Sequence, residues 1–186
     1  MNTMNTGDTM NAPEYLLLSA HYNRWVNERL YGVCSGLDDS ARRRDLGAYF
    51  RSLHGTLNHL LLADRLWLAR ITGATTTLHT LDQELYSDFA ELRTERALTD
   101  AVITDRVVGL SSSALALPVR YVSVITGNIM TLSTGTALIH MFHHQTHYRG
   151  QVTALLSQLG QGYGAIDMVW MPGVAAVSDE NSVANH

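Results

Sequence analysis

Four of the chain's nine histidines fall within eight residues, in the stretch HMFHHQTHYRGQ from 140 to 151. If that stretch is helical, His140, His144 and Tyr148 stand one turn apart and drift only about 40° per step. His147 and Gln151 flank the stripe, and His143 lies toward its edge. Two imidazoles four residues apart on a helix can share one metal ion, and two such pairs are present, His140 with His144 and His143 with His147. A further ligand must come from another element. His59 offers one, because it sits in NHLLLADRLW among Leu57, Leu60, Leu61, Leu62 and Ala63. An imidazole in such surroundings is costly without a partner. Asp64 and His54 are near in sequence, and either is a candidate to orient His59 from behind. A plainer reading stays open, since a histidine at the edge of an apolar face is often just a hydrogen-bonded structural residue. His21 and His79 read as ordinary, and His186 is terminal.

Other chemistries find little support. All thirteen basic residues are arginine, which excludes a Schiff-base or P-loop lysine. The single cysteine, Cys34, excludes an intrachain disulfide and a thiolate cluster, and it reads as a small packed side chain. Asp82, Glu84 and Asp88 have no catalytic spacing, the serines at 111–113 lack a nucleophile-elbow context, and the glycines of QLGQGYG follow a helix instead of opening one. A net charge of −4 with neutral histidines argues against a nucleic-acid partner held by bulk charge.

These side chains need rigid elements to position them. With 186 residues, 46% hydrophobic and 16% charged, the chain suits one domain with a sizeable core. Apolar periodicity predicts helices over about 13–37, 50–71, 88–116 and 133–158. Pro13 opens the first, and Leu17, Ala20, Trp25, Leu30 and Val33 recur along it. The third carries Leu92, Leu98, Val102, Val107 and Leu110. Between the third and fourth, VRYVSVITGNIMTLST alternates around Gly127 and Asn128 and predicts a small hairpin. The expected fold is all-α, an up-down-down-up-like four-helix bundle with long crossover connections. Residues 1–12 read as a loose tail, 13–170 as the bundle domain and 171–186 as a C-terminal tail. No signal peptide and no apolar run long enough to span a membrane is evident, so a cytoplasmic protein with no membrane partner is expected.

The segments HGTLNHLLLADRLWL and HMFHHQTHYRGQVTALLSQLG, in that order and separation, resemble the DinB/YfiT-like family of four-helix-bundle metalloproteins. The resemblance runs from about Pro13 to Asp167. It implies three metal ligands, one on the second helix and two, four residues apart, on the fourth. On this chain they fall on His59, His144 and Tyr148, with Gln151 following. Tyr148 departs from the pattern, since relatives usually have histidine there. Either Tyr148 ligates, or His140 or His147 substitutes, or the site is weakened. The resemblance implies a divalent ion, zinc or nickel first and iron or manganese next. It also implies a metal-dependent transferase that joins a small-molecule thiol to an electrophile, or a related hydrolase, and a homodimer. Arg149 and Arg65 are candidates to hold a substrate carboxylate. The alternative is a non-catalytic metal- or ligand-binding stress-response protein with a degenerate site.

Overall fold

The computed structural model describes residues 10–75 and 80–175. The expectations for the two extreme tails, for His79 and for His186 lie at least partly outside the described residues.

Each helix begins where a short polar side chain can cap it. Helix α1 (Ala12–Ser35) opens on a capping box, in which Asn11 and Glu14 each accept a hydrogen bond from the other's backbone N–H, with Pro13 in the first turn. A short α2 (Asp39–Arg43) lies in the following link and is capped by Asp38. Helix α3 (Leu53–Thr72) is capped by Ser52 and ends at Gly73, whose φ of 72° suits the left-handed C-terminal position. Helix α4 (Phe89–Val107) is capped by Asp88. The expected continuation to Ala116 is interrupted, because Gly109 takes a φ of 72° and the chain restarts as α5 (Ser112–Leu115). The expected hairpin is present: β1 (Pro118–Val122) pairs antiparallel with β2 (Ile129–Ser133), Pro118 opposite Ser133. Ser133 then caps α6 (Thr134–Gln158).

The four long helices form the bundle. Helix α1 packs chiefly on α4, and α3 on α6, while α1 with α6 and α3 with α4 close the ring. Successive pairs α1/α3 and α4/α6 are therefore diagonal, so each needs a long connection. The link holding α2 serves the first, and α5 with the hairpin serves the second.

The core comes in two apolar clusters. One gathers Ala20, Trp67, Ile71, Ile103, Leu138 and Met141 with their neighbours. The other gathers Val26, Leu30, Leu57, Leu61, Leu92 and Val152 with theirs. Helices α1 and α6 pass from the first cluster to the second, and α3 and α4 pass the other way, which is the up-down-down-up order. Between the clusters lies a buried polar layer of Asn23, Asn27, Asp64, Arg96, Asp100, Gln145 and Arg149. Arg96 bridges Asp64 and Asp100, at 2.8 and 2.7 Å. Asn23 and Asn27 donate to Asp100, and Gln145 donates to Asp64. Two carboxylates and two guanidiniums balance, which is how buried charge becomes tolerable.

This layer explains where the apolar stripes expected from sequence err. Leu98 and Val102 point outward, because Arg96, Thr99 and Asp100 take the inward positions of α4. On α1 the inward stripe runs through Leu16, Asn23, Val26 and Asn27, and Trp25 is only partly buried. Among the described residues, no helix is long and apolar enough to cross a membrane.

Candidate metal centre between helices α3 and α6

His59 and His144 face each other across the α3–α6 groove, with their Nε2 atoms 3.4 Å apart. The Nδ1 of His59 lies 2.7 Å from the Leu81 carbonyl oxygen. A carbonyl can only accept, so Nδ1 carries the proton and the neutral ring turns a bare Nε2 lone pair toward His144. The sequence offers Asp64 and His54 as candidates for this orienting partner. Both are engaged elsewhere: Asp64 in the polar layer, and His54 through its Nε2 against the Tyr86 carbonyl and Arg43. A backbone carbonyl from a loop leaves no residue-type signal, so the sequence could not name it.

Tyr148 completes the cluster. Its ring centroid is 4.5 Å from that of His59 and 4.6 Å from that of His144. Phe50 stacks on His59 at 3.9 Å and also meets the Tyr148 ring, at 5.6 Å. The turn before α3 seats Phe50 there. Arg51 adopts a φ of 65°, and Gly55 is needed because a Cβ at that position would lie 2.3 Å from the Phe50 carbonyl oxygen.

Burial lowers the imidazole pKa values. His144 is pushed down to about 4 by desolvation and then by His59, His140 and His147. Desolvation also lowers His59, against the opposing pull of the Leu81 carbonyl. Both are therefore neutral at pH 7, the form that ligates metal. Tyr148 moves up, first through burial and then through Tyr49, so its phenol holds its proton.

The other expected site residues divide. His140 lies against Trp67, ring centroids 4.7 Å apart, and 6.0 Å from the His144 ring, so it lines the same cavity without joining the pair. His147 is exposed, meets Gln151 at 3.2 Å and touches the Tyr148 ring by its edge. His143 is exposed. Arg149, one residue past Tyr148, is rotated about 100° into the core. There it donates to Asn23 and Thr146 and is 4% exposed, so it cannot reach a ligand in the groove. Arg65 is paired with Glu95 and Tyr86.

The cavity over the pair has a volume of about 370 Å³ and runs from Tyr148 up to the hairpin residues Val124 and Ile125. That is enough for a small molecule.

A family description matches residues 1–181: the DinB family. The chain belongs to the DinB family. It is also similar to Protein DinB of Bacillus subtilis (strain 168), with 23% identity over 150 residues that cover 78% of this chain and 87% of that protein.

The residues of this DinB-family chain fit a metal ion in part. Two nitrogens bound at about 2.0–2.1 Å to one tetrahedral ion lie roughly 3.3–3.4 Å apart, which is the separation His59 and His144 already have. Among the described residues no third His, Cys, Asp or Glu joins them, and the Tyr148 ring packs against both imidazoles. The Nδ1 of His144 is buried and has no hydrogen-bond partner, so this ligand is less firmly oriented than His59.

Proposed function

We propose that this DinB-family chain is a metal-dependent enzyme of the thiol S-transferase type, with His59 and His144 holding a divalent ion and Tyr148 in the third ligand position. Zinc and nickel suit the imidazole pair best, and iron or manganese come next. The observation that carries the reading is the 3.4 Å approach of the two Nε2 atoms, with the His59 lone pair fixed toward His144 by the Leu81 carbonyl. A bound ion would supply Lewis acidity and lower the pKa of a coordinated thiol.

The chain's own groups supply the rest. Leu81 fixes the tautomer and direction of His59, and Phe50 and Tyr148 wall the pair off from bulk water. The low pKa values keep both imidazoles unprotonated, so proton competition for the site is weak at neutral pH. The cavity leaves room above the pair for a small thiol and an electrophile. A homodimer in a cytoplasmic setting completes the reading.

Elemental analysis of untagged protein beside His59→Ala and His144→Ala tests it. About one ion per chain in the parent, lost in both variants and accompanied by loss of thiol conjugation to an electrophile, is the expected result. No binding after reconstitution with zinc, nickel and manganese would sink the enzyme reading. It would favour a stress-response protein that binds small ligands through a degenerate site, a reading favoured by the raised pKa of Tyr148.

A further inference from the structure

Arg70 lines the same cavity, at the end away from Tyr148. Its guanidinium carbon lies 4.6 Å from the Trp67 ring centroid and 4.2 Å from that of Tyr121 on β1. These aromatic contacts hold a cation but accept none of its N–H groups in the way an oxygen would. Among the described residues, Arg70 makes no hydrogen bond or ion pair with any carboxylate, carbonyl or hydroxyl. Its situation is unlike that of Arg43, Arg65, Arg96 and Arg149, each of which is committed to named acceptors. Arg70 is also half-buried, so its donors are only partly compensated by water.

We propose that Arg70 is the carboxylate anchor of the ligand that enters the cavity, which makes that ligand an elongated small molecule with its reacting atom at one end and a carboxylate at the other. The proposal rests on the reading of the His59–His144 pair as the reacting end. A planar guanidinium with free donors suits the two oxygens of a carboxylate. The spacing follows from α3. Trp67 is eight residues past His59, about 12 Å along the helix axis, and the guanidinium of Arg70 lies over Trp67. The carboxylate therefore sits on the order of 10 Å from the imidazole pair. Between them the walls are mostly apolar, with Ala63 and Leu66 on α3 and Val124 and Ile125 on the hairpin, and they carry no carboxylate, the polar groups there being His140 and Ser123. The ligand is thus matched by an uncharged middle of several bonds.

The test is titration of the metal-free full chain with 8-mercaptooctanoate, with the equally long 8-mercaptooctanamide and with inorganic phosphate, followed by NMR of the Arg70 Nε–H and the Trp67 indole N–H. The carboxylate is expected to bind at least about tenfold tighter than the amide. Arg70→Gln should erase that preference, and Arg70→Lys, which keeps the charge but not the fork, should restore part of it. Equal affinity for carboxylate and amide, a preference that survives in Arg70→Gln, or no saturable carboxylate binding would overturn the proposal. Tighter binding of phosphate than of the carboxylate would overturn the assignment of ligand class. Metal uptake by the same chain, measured separately from the titration, separates the two readings. A chain that takes no metal but shows the Arg70-dependent preference keeps the anchor and loses the metal enzyme, while a chain that takes up metal but, when metal-free, treats acid and amide alike does the reverse.

Discussion

Replacing Tyr148 by histidine tests the arrangement most directly. The phenol has an ordinary pKa near 10, and burial with Tyr49 beside it pushes that higher. To ligate at pH 7 it must lose a proton, which costs at least about 4 kcal/mol, or a factor of about a thousand in affinity. An imidazole in the same surroundings bears no such cost, because the desolvation that lowers His59 and His144 would keep it neutral too. The position is well placed, since the Tyr148 ring is equally close to both imidazoles. Tyr148→His should therefore tighten zinc binding by up to about a thousandfold at pH 7. The pH dependence gives a second, independent reading. If the phenolate ligates in the parent, affinity climbs about tenfold per pH unit from 7 to 9, and the variant is flat over that range. Competition against a chromophoric chelator across pH 6.5–9 measures both, with Tyr148→Phe as the control that keeps the ring and removes the donor. Equal affinity of parent and Tyr148→His, with the same slope against pH, would refute the placement of a third ligand at 148.

Three further outcomes follow from the same geometry. The metal-free chain should lose stability in acid. His144 is held near pKa 4 in the folded state against about 6.5 unfolded, so its contribution is complete above pH 6.5 and falls away toward pH 4, by up to about 3 kcal/mol. Denaturant midpoints at pH 7.5 and 4.5 should show a smaller difference in His144→Phe, and an equal difference in both proteins would contradict the desolvated pair. Arg96→Leu should destabilise the fold by roughly 3–5 kcal/mol, because Asp64 and Asp100 lose their shared partner, and a shift in thermal midpoint of only a degree or two would argue against a buried charged layer. Gly55→Ala should cost roughly 1–3 kcal/mol and displace Phe50 from His59, since the new methyl meets backbone rather than a movable side chain. Unchanged stability together with unchanged His59 ring shifts would count against that close approach.

The sequence disclosed the helices, the hairpin and the three clustered side chains because each leaves a local trace. Caps and glycines mark ends, alternation marks the hairpin, and a spacing of four puts His144 and Tyr148 on one face. What it hid is non-local. Leu98 and Val102 look like core because they are apolar, yet the inward face of α4 is given to Arg96 and Asp100, whose burial makes sense only with Asp64 and Asn27 from two other helices. Arg149 looks like a ligand-binding arginine from its place beside Tyr148, but a single-residue step on a helix turns it into that same layer. Arg70, unremarkable in sequence, becomes distinctive only when the hairpin brings the Tyr121 ring over it and, among the described residues, no hydrogen-bond acceptor pairs with it.

The polar layer and the candidate metal centre belong to one design. Gln145 donates to Asp64 on the inward side of α6, while its neighbour His144 turns outward to His59. The contact between Gln145 and Asp64 is a specific hydrogen bond in a buried setting, so it fixes the rotation and height of α6 against α3 more sharply than leucine packing would. That registration is what sets the separation of the two Nε2 atoms. An apolar layer of the same volume could be as stable or more so, but it would hold α6 less strictly in register. The charge buried in the middle of this bundle is thus best understood as a device for aligning the pair beside it.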